Sequence, residues 1–441
     1  MIISVVGFGY IGTVIGAVLA DLGNTVFAID NNQSSIDELN LGLCRVPEPA
    51  LQDLVASGVA SGRLSGSTSY DRVEESDVVL VTVGTPLSDS FDADLSAIKS
   101  VFGKLSQYCC DGQIIMLKST VPPGVTRALA NEFLSGRDDL YLGFSPERLA
   151  EGNAIHEFKT LPIVVGGVDI ESTRKCAEFW RHALEVDVIE VASCEAAELV
   201  KLANNQWIDL NIALANELAI LCDSLPYDLD VLEVIQGANS LKKGQHYVNI
   251  LTPSIGVGGY CLTKDPWFVS ALGQNHGASI ALPRCGREVN DKMPRYCANE
   301  IMSFFTGQGK SASDIKIAVL GYSFKSNSGD IRFTPMERFI SHMLDEGVTD
   351  ISVFDSTISD EAISDSRVRR VDRWEVCMND ADCVVFGAAH DDLCQIQMSE
   401  FPKRMSDGGL FYDGRRFLSR AQILELKKCG IAYQGVGRSY S

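Results

Sequence analysis

Residues 2–12 read Ile-Ile-Ser-Val-Val-Gly-Phe-Gly-Tyr-Ile-Gly, and this stretch decides how the first part of the chain folds. Ile2–Val6 is a short apolar run typical of a strand, and it leads directly into the spacing Gly-x-Gly-x-x-Gly. The Ala-rich segment Tyr10–Leu22 then predicts a helix. Thr25–Ile29 predicts a second strand, so the chain opens with a strand–turn–helix–strand unit.

Glycines and one acidic residue make this unit a candidate dinucleotide site. Gly7 allows a tight turn, Gly9 lets the backbone approach a pyrophosphate, and Gly12 permits close packing of the helix on the strand. The pyrophosphate would lie at the N-terminus of the helix. Asp30 ends the second strand, where a carboxylate can bind ribose hydroxyls. Because Asp30 would repel a 2′-phosphate and no Arg follows it directly, the sequence predicts NAD rather than NADP.

Further apolar runs extend this rhythm of strands and helices. Asp77–Val83 is a run typical of a buried strand and ends in Gly84-Thr85-Pro86. Gln113–Leu117 has the same form and leads into Ser119-Thr120-Val121-Pro122-Pro123. The rhythm predicts a parallel sheet with helices on both faces and a ligand-binding edge at the carboxyl ends of the strands.

The opening pattern returns in the last third of the chain. Ile315–Gly321 parallels the first strand and its glycine, Ile351–Asp355 parallels the strand that ends in an acidic residue, and Ala381–Gly387 parallels the run before Gly84. We predict an α/β fold with two Rossmann-like doubly wound parallel-sheet domains, joined by a long central helix and a helical segment. Unrelated α/β sheets share such patterns, so a chance likeness of the two halves is the alternative.

The middle of the chain is predicted to be helical. Glu195–Ser224 has apolar residues at helical spacing and stops before Pro226. These apolar residues are Leu199, Leu202, Leu210, Leu214, Leu218 and Leu221. Thr306–Asp314 has the composition of a linker. The sequence therefore predicts three segments, 1–194, 195–305 and 306–441.

Composition and charge exclude several classes of protein. Apolar residues make up 46% and charged residues 22%, which is typical of a soluble globular chain. No apolar run approaches the ~20 residues that a membrane helix needs, and Met1–Gly9 lacks the basic start of a signal peptide. The net charge of −20 disfavours nucleic acid and anionic membranes. Thirteen scattered cysteines without a Cys-x-x-Cys pair indicate reduced thiols, so we expect a cytoplasmic protein.

Cys261 differs in its setting from the other cysteines. It follows the run Gly256-Val257-Gly258-Gly259-Tyr260, which lets a substrate come close, and Lys264 nearby could favour the thiolate. Beside a nicotinamide, a thiolate can add to an aldehyde, and the thiohemiacetal can then lose a second hydride to NAD and leave a thioester. An ordinary small buried cysteine is the alternative.

Motifs spread over nearly the whole chain carry a resemblance to one family. Besides the N-terminal Gly-x-Gly-Tyr-x-Gly, they are Gly84-Thr85-Pro86, Ser119-Thr120-Val121-Pro122, Ser145-Pro146-Glu147-Arg148-Leu149-Ala150-Glu151-Gly152, Lys201-Leu202-Ala203-Asn204-Asn205, Gly258-Gly259-Tyr260-Cys261, Gly321-Tyr322-Ser323-Phe324-Lys325, Asp330-Ile331-Arg332 and Asp413-Gly414-Arg415-Arg416. In this ordered set the chain resembles the UDP-glucose / UDP-N-acetylmannosamine / GDP-mannose 6-dehydrogenase family.

The resemblance implies a four-electron oxidation of a sugar C6 alcohol to a carboxylate, with two NAD per turnover. It implies that the first segment binds NAD, that the central one dimerises and carries the cysteine loop, and that the last one binds the UDP-sugar. Cys261 matches the nucleophile of the family. Lys201 matches a lysine that stabilises the developing oxyanion, and Asn205, one helical turn further on, would share that role. Without the resemblance, Lys201 would be taken for an exposed helix residue.

Further catalytic roles follow from the same resemblance. Asp265 matches a water-orienting carboxylate, and Thr120 and Glu147 match residues that hold a catalytic water, with Glu147 as the acid or base of thioester hydrolysis. Each of these residues also has an ordinary structural alternative. Asp265 could begin a turn, Thr120 could be a helix or turn cap, and Glu147 could be a charge at a helix N-terminus.

Binding residues are assigned in the same way. The cofactor residues are Gly7, Gly9, Tyr10, Ile11, Gly12, Asp30, Thr85, Thr120, Glu151, Lys264 and Arg332. The substrate residues are Glu147, Arg148, Leu149, Lys201, Asn205, Tyr247, Asn249, Gly258, Phe324, Lys325, Arg415 and Arg416. Arg415 and Arg416 could fork onto hydroxyls or phosphate, with a surface charge as the alternative for either.

The resemblance leaves the sugar open. Val248-Asn249-Ile250-Leu251 looks most like UDP-N-acetylmannosamine dehydrogenases, but Tyr260 stands where those enzymes tend to have His. Lys264-Asp265 instead resembles the UDP-glucose enzymes, and Tyr247 stands where many relatives have an arginine that reaches a neighbouring subunit's sugar. We expect a UDP-N-acetylhexosamine first, UDP-glucose second and GDP-mannose third.

Two other classes of protein stay open. A two-electron β-hydroxyacid dehydrogenase would need the lysine but neither the cysteine nor a second nucleotide-type domain. A non-catalytic nucleotide-binding protein could use the same fold. The resemblance further implies a homodimer through the long central helix, with a higher oligomer possible; burial of that helix within one chain is the alternative. We expect no metal, and the net charge predicts no nucleic acid or membrane partner.

Overall fold

An eight-stranded sheet forms around the predicted N-terminal strand in the computed structural model, which describes residues 1–88, 92–137 and 139–439. Its strands are β1 Ile2–Val6, β2 Thr25–Ile29, β3 Leu64–Ser67, β4 Val78–Val81, β5 Ile114–Leu117, β6 Tyr141–Phe144, β7 Ile163–Gly167 and β8 Val188–Glu190. Their order across the sheet is β3-β2-β1-β4-β5-β6-β7-β8, and only β6 and β7 pair antiparallel. The strand order reverses between β1 and β4, where open α/β sheets bind their ligands.

Seven helices connect these strands. They are α1 Tyr10–Asp21, α2 Gln33–Asn40, α3 Leu51–Ala60, α4 Ser96–Tyr108, α5 Val125–Phe133, α6 Ala154–Thr160 and α7 Ile170–Ala183, with a 3-10 turn at Asp71–Glu75. The predicted helix after the glycine motif is confirmed and ends at Asp21, one residue earlier than expected.

Both faces of the first sheet are buried. Along β4, Val78 and Leu80 join the core that packs on α1 and α7, whereas Val79 and Val81 join the core that packs on α4 and α5. This alternation follows from the two-residue period of a strand. A parallel sheet covered by helices on both faces therefore reads as a continuous apolar run, as Asp77–Val83 does.

Helices dominate the middle of the chain. The elements are α8 Cys194–Ser224, α9 Val231–Asn239, the short hairpin of β9 Lys242–Lys243 and β10 His246–Tyr247, α10 Tyr260–Asn275 and α11 Leu282–Gly307. The long helix predicted from the leucine spacing is confirmed and begins one residue earlier, at Cys194.

The chain divides into two compact units, and the division falls inside helices. One unit comprises Met1–Asn204 and Ala271–Gly277, and the other comprises Asn205–Ser270 and the chain from Ala278 onward. The first boundary therefore lies within α8 and the second within α10. The three predicted segments 1–194, 195–305 and 306–441 do not coincide with these units and stay a prediction.

A second sheet repeats the plan of the first. Its strands are β11 Lys316–Leu320, β12 Asp350–Phe354, β13 Val368–Arg370, β14 Ala381–Phe386, β15 Met405–Asp413, β16 Ala432–Gly435 and β17 Arg438–Ser439. Its helices are α12 Pro335–Asp345, α13 Trp374–Met378, α14 Asp391–Cys394 and α15 Arg420–Lys428, with 3-10 turns at Ala312–Asp314, Asp360–Ala362 and Met398–Glu400. The strand order β13-β12-β11-β14-β15-β16-β17 matches that of the first sheet, so the predicted second Rossmann-like sheet is confirmed.

The segment predicted as a linker, Thr306–Asp314, is only partly one. Helix α11 continues through Gly307, because Phe305 is buried in the core and anchors the last turn. Gly309, with φ +77°, then ends the helix, and Lys310 N donates to Phe305 O at 3.1 Å. The helix therefore stops where its backbone turns left-handed.

One buried arginine links three helices of the second unit. Arg287 on α11 contacts Asp209 on α8 at 2.7 Å and Asp291 at 2.5 Å, with only 1% of its side chain exposed. It also donates to Leu262 O on α10 at 3.4 Å. That carbonyl needs a donor because Pro266, four residues on, has no N–H. Burial raises the pKa of Asp209, and the charge of Arg287 opposes this rise.

Arg287→Met is expected to lower the free energy of unfolding by about 3–5 kcal/mol, because it leaves the buried Asp209 without its charge partner. Urea unfolding followed by circular dichroism measures the loss. Arg284→Met on the same helix is the matched control, since the Arg284 side chain is 60% exposed and its loss should cost under about 0.5 kcal/mol. Similar losses in the two variants would contradict the role of Arg287.

Candidate active site

Two glycines of the turn after β1 stand where a side chain would not fit. Gly7 has φ +90°, and a Cβ there would lie 2.8 Å from the backbone N of Val83. A Cβ on Gly12 would lie 2.2 Å from Gly7 O. Gly7 and Gly12 are therefore needed because a larger residue would clash with neighbouring backbone, as the sequence predicted.

Asp30 and a cavity lie beside this turn. The Asp30 carboxylate accepts Phe8 N at 2.7 Å and Asn32 N at 2.9 Å, and it is half-buried. Gly9, Asp30, Tyr70 and other residues line a cavity of about 360 Å³. Burial, with a smaller effect of the Asp30 charge, raises the pKa of Tyr70 to about 12, so the Tyr70 hydroxyl keeps its proton.

The residues at this edge fit a dinucleotide. A Cβ on Gly9 would meet no atom within 4 Å, so the backbone there is open to a ligand. Thr85 is 4% exposed, and its hydroxyl has no hydrogen-bond partner among the described residues. A buried unpaired hydroxyl and an accessible carboxylate are groups that a bound NAD could satisfy.

Glu48, which the sequence analysis missed, joins the predicted cofactor residue Tyr10 to the backbone that follows Glu151. It accepts the hydroxyl of Tyr10, as well as Gly152 N at 2.6 Å and Ala154 N at 2.7 Å. Burial and the hydrogen bond to Glu48 raise the pKa of Tyr10, and the charge of Glu151 adds to this rise. No motif in the sequence singles out Glu48, because its partners lie far along the chain.

Lys118, also missed, lies next to Glu147. Its Nζ is 3.4 Å from Glu147 Oε2 and 3.3 Å from Ser145 O. Glu147 Oε1 accepts the backbone N of Arg148 at 2.7 Å and of Leu149 at 2.9 Å. Burial lowers the pKa of Lys118, and Glu147 opposes this effect. The position of Lys118 directly before Ser119-Thr120 was the available sequence signal.

Cys261 lies in the first turn of α10 with an exposed thiol. Lys264 and Asp265 follow three and four residues later, which places them on the same side of the helix. The N-terminus of a helix favours negative charge, such as that of a thiolate.

A buried carboxylate organises the surroundings of this helix. Asp265 is fully buried, accepts Asn205 Nδ2 at 2.5 Å and contacts Lys264 Nζ at 2.7 Å. The Lys264 ammonium also lies 4.3 Å from the centre of the Phe268 ring. Asp265 therefore contacts two other residues that the resemblance selected, Asn205 and Lys264. Lys201 lies one helical turn before Asn205 on α8 and is 8% exposed.

The glycines before Cys261 pack on a loop of the second sheet. A Cβ on Gly258 would lie 2.5 Å from Phe324, and one on Gly259, where φ is +86°, would lie 2.7 Å from the Phe324 ring. Gly259 N donates to Arg332 O at 3.0 Å, and the Arg332 guanidinium lies 5.7 Å from the centre of the Tyr260 ring. The structure thus brings Gly258, Phe324 and Arg332 next to the cysteine loop.

The terminal arginines have different surroundings. Arg415 donates to Gly387 O at 2.6 Å and to Phe324 O at 2.9 Å, and burial lowers its pKa to about 10. Arg416, with 1% of its side chain exposed, contacts Asp230 at 2.6 Å. The other oxygen of Asp230 contacts Arg438 at 2.7 Å. Arg416 is therefore directed at a carboxylate of its own chain.

Two predicted substrate residues lie near the short hairpin. Tyr247 in β10 is 62% exposed. Asn249 is exposed, and its carbonyl accepts Asn211 Nδ2 at 2.6 Å. Their roles, and those of the other predicted binding residues, stay predictions.

Three further observations concern the described residues as a whole. None of their helices combines the length and the apolar composition needed to cross a membrane. In the same residues, no three His, Cys, Asp or Glu side chains are grouped so that they could hold a metal ion. All thirteen cysteines fall in this part of the chain, and each is a thiol outside any disulfide.

Comparison with known proteins gives consistent matches over most of the chain. Three domains of the UDP-glucose/GDP-mannose dehydrogenase family match: the NAD binding domain at residues 1–184, the central domain at 195–292 and the UDP binding domain at 318–420. A UDP-N-acetyl-D-mannosamine dehydrogenase of Methanococcus maripaludis is 30% identical over 90% of this chain and 88% of that protein. An NDP-N-acetyl-D-galactosaminuronic acid dehydrogenase of Ralstonia nicotianae is 31% identical, over 91% and 94% of the two chains.

The fold of a solved structure agrees as well. The UDP-N-acetyl-D-mannosamine dehydrogenase of Pyrococcus horikoshii superposes with a TM-score of 0.87 and is 28% identical, with 99% of each chain covered.

Asp30→Asn is expected to weaken NAD binding about tenfold or more, because it removes the charge of the hydrogen bonds to ribose hydroxyls while an amide oxygen can still accept Phe8 N–H. The preference for NAD over NADP should fall at the same time. Titration calorimetry with each dinucleotide measures both effects. Asp37→Asn on α2, whose carboxylate contacts only an exposed glutamine among the bonds described, should leave both affinities unchanged. Unchanged NAD affinity in Asp30→Asn would contradict the assignment.

Proposed function

The chain belongs to the UDP-glucose/GDP-mannose dehydrogenase family, and from this membership we propose that it oxidises the C6 hydroxyl of a UDP-N-acetylhexosamine to the uronate with two NAD. It is an NAD-dependent nucleotide-sugar dehydrogenase. The choice of sugar and the roles of the residues are the steps that we propose beyond this. Relatives that act on N-acetylated sugars support the choice of sugar.

The placement of Cys261 carries the four-electron route. The thiol is exposed in the first turn of α10, and the buried pair of Asp265 and Lys264 lies one turn further on. A two-electron β-hydroxyacid dehydrogenase would need no thiol in such a position. We therefore assign Cys261 as the nucleophile.

The first unit is proposed to hold NAD. Gly7, Gly9 and Gly12 would admit the pyrophosphate, Asp30 would accept the ribose hydroxyls, and the unpaired hydroxyl of Thr85 would gain a partner. NAD, when bound, supplies a hydride acceptor for each of the two oxidation steps. Tyr10, Ile11, Thr120 and Glu151 complete the proposed cofactor set in this unit, and the resemblance adds Lys264 and Arg332 from elsewhere in the chain.

The chemistry of the chain's own residues is proposed to proceed through two intermediates that share one carbon–sulfur bond. The first oxidation converts the C6 alcohol to an aldehyde, with loss of a hydride and a proton. The Cys261 thiolate adds to that aldehyde carbon, and the thiohemiacetal loses a second hydride and a proton to give a thioester. Lys201, with Asn205, stabilises the oxyanion that forms at this carbon. The positive charge of Lys201 would supply most of that effect.

Water then releases the acid. Glu147 acts as the base that takes a proton from the attacking water, and Thr120 and Asp265 orient it. The carbon–sulfur bond breaks, the uronate leaves, and the cysteine returns as a thiol or thiolate. Lys118 Nζ, 3.4 Å from Glu147 Oε2, fixes the position of this carboxylate.

The nucleotide part of the substrate is proposed to contact the second sheet. Phe324 and Lys325 follow β11, and Gly258 packs against Phe324. The matched UDP binding domain supports this assignment. The proposed substrate set is completed by Arg148, Leu149, Tyr247, Asn249, Arg415 and Arg416. Because Arg416 contacts Asp230, its charge would act on the substrate from a distance. We keep the boundaries 1–194, 195–305 and 306–441 as the NAD-binding, central and UDP-sugar-binding domains.

The proposed substrate is tested by the NADH formed per sugar consumed. Limiting UDP-N-acetylmannosamine, UDP-N-acetylglucosamine, UDP-N-acetylgalactosamine, UDP-glucose and GDP-mannose are supplied in turn. A ratio of about two with an acetylated sugar is expected, because both oxidations occur on one enzyme. The same ratio with UDP-glucose alone would make UDP-glucose the substrate in place of the acetylated sugar. A ratio of one would favour the two-electron reaction of a β-hydroxyacid dehydrogenase.

Cys261→Ser should abolish conversion of the aldehyde to the acid while leaving NAD affinity within about twofold, because the hydroxyl cannot form a thioester. Product analysis and calorimetry with NAD measure the two effects. Cys285→Ser on α11, which also has an exposed thiol, is the matched control and should keep full turnover. Equal loss of acid formation and NAD binding in folded Cys261→Ser would count against the nucleophile.

We also propose a homodimer in the cytoplasm. Trp207, Leu214 and Leu221 on α8 are spaced seven residues apart and 51%, 46% and 51% exposed, which supports a helix-packing surface. The absence of disulfides among the thirteen cysteines supports a reducing compartment.

Light scattering should therefore give twice the mass of one chain. Leu214→Glu should give the mass of one chain, because it places a charge in the apolar contact. Leu424→Glu on α15, at a leucine that is 52% exposed, should keep the dimer. A single-chain mass for the unmodified protein would exclude this interface.

A further inference from the structure

The two sheets carry a carboxylate at the same place, directly after the second strand. In the first sheet Asp30 accepts Phe8 N at 2.7 Å. In the second sheet Asp355 accepts Tyr322 N at 2.7 Å and Ser323 N at 2.9 Å. In each case the carboxylate holds the turn that follows the first strand. Asp355 is therefore the second sheet's equivalent of the residue that binds ribose in a dinucleotide site.

Asp355 is closed to a ligand, unlike Asp30. It is 1% exposed, whereas Asp30 is half-buried. Thr357 donates its N at 2.9 Å and its hydroxyl at 2.6 Å to Asp355 Oδ1, and His390 Nε2 lies 3.0 Å from Oδ2. Although burial opposes ionisation, the hydrogen bonds from His390 and Thr357 hold the pKa of Asp355 well below its usual range. No ribose can reach this carboxylate.

The hydrogen bonds of His390 define its tautomer. Asn327 N donates to His390 Nδ1 at 2.8 Å, so Nδ1 must be an acceptor. The ring proton is then on Nε2, which donates to Asp355 Oδ2. Ser323 Oγ, 3.1 Å from Nε2, donates in turn to Lys325 O at 3.0 Å. The buried imidazole thus bridges the carboxylate and the loop.

The bridged loop, residues 322–327, carries the proposed substrate residues Phe324 and Lys325. Beyond His390, its last residue is held by Asp391 N, which donates to Asn327 Oδ1 at 3.0 Å. Arg415 donates to Phe324 O. Asn327 has φ +55°, a conformation that asparagine tolerates better than most residues. The start of the loop therefore depends on Asp355, which accepts Tyr322 N and Ser323 N. Its end at Asn327 depends on residues 390–391.

We propose that His390 is a positioning residue for the nucleotide sugar. It covers Asp355, the carboxylate that stands where the first sheet has Asp30. Through its contact with Asp355 it holds Phe324 and Lys325 in place. The second sheet then binds no dinucleotide of its own and presents this loop to the UDP moiety instead. This inference rests on the proposed function, because the substrate roles of Phe324 and Lys325 come from it.

Two substitutions of His390 separate positioning from packing. His390→Leu has a similar size but no ring nitrogen, so Asn327 N loses its acceptor. His390→Asn places an amide oxygen near the position of Nδ1 and can accept Asn327 N again. We expect the Kd for UDP, measured by calorimetry, to rise about tenfold or more in His390→Leu and to return to within about threefold in His390→Asn.

The Kd for NAD should stay unchanged in both variants, since the glycine turn and Asp30 of the first sheet are proposed to hold NAD and neither contacts His390 in the bonds described. His342→Leu on α12 is the matched control and should alter neither affinity. Equal UDP affinity of wild type and folded His390→Leu, or equal weakening of UDP and NAD, would overturn the inference. Failure of the proposed function would appear separately, as a wild type that turns over none of the sugars.

A second variant covers the case in which His390→Leu does not fold. Asn327→Gly keeps the positive φ and the backbone N–H but removes the bond to Asp391 N on the surface side of the loop. We expect a severalfold rise in the Kd for UDP, with NAD binding and thermal stability close to wild type. Unchanged UDP affinity in this variant would likewise reject a loop fixed through residues 390–391.

Discussion

A carboxylate after the second strand holds the turn after the first strand, and both nucleotide-type sheets depend on this contact. Asp30 accepts Phe8 N, and Asp355 accepts Tyr322 N and Ser323 N. The turns lie at the carboxyl edge of their sheets, where they have no further strand to pair with. The carboxylates therefore decide where the backbone N–H groups of these turns point, and with them what each edge can bind.

The contact between carboxylate and turn has a different consequence in each of the two sheets. In the first sheet the carboxylate keeps an accessible side beside an open cavity, which suits a ribose. In the second sheet Thr357 and His390 use the remaining acceptor positions of Asp355. Two sheets of the same topology thus differ in whether this carboxylate is accessible to a ligand, and a few side chains around it make the difference. This fits an enzyme in which one sheet serves the cofactor and the other the nucleotide of the substrate.

Buried charge pairs keep the central helices of this acidic chain in place. Arg287 pairs with Asp209, and Lys264 pairs with Asp265 one turn after the cysteine of α10. A charge removed from water is tolerated only with a close partner and further hydrogen bonds. Arg287 and Asp209 therefore tie α11 to α8, and the hydrogen bond from Asn205 to Asp265 ties α8 to α10. Pro266 adds to this constraint, because the carbonyl that it leaves without an N–H donor is contacted by the arginine.

Sequence by itself determined the central strands of both sheets, the glycine turn with its carboxylate, the long helix and the family likeness, because these depend on short-range periodicity and fixed spacings. It did not determine that Arg416 faces Asp230, 186 residues away, or that His390 closes Asp355. The contact of Lys118 with Glu147 was equally hidden. Only the tertiary structure decided these contacts, because a buried charge or imidazole takes whichever partner the packed strands and helices bring within hydrogen-bond distance, and no local pattern records that partner.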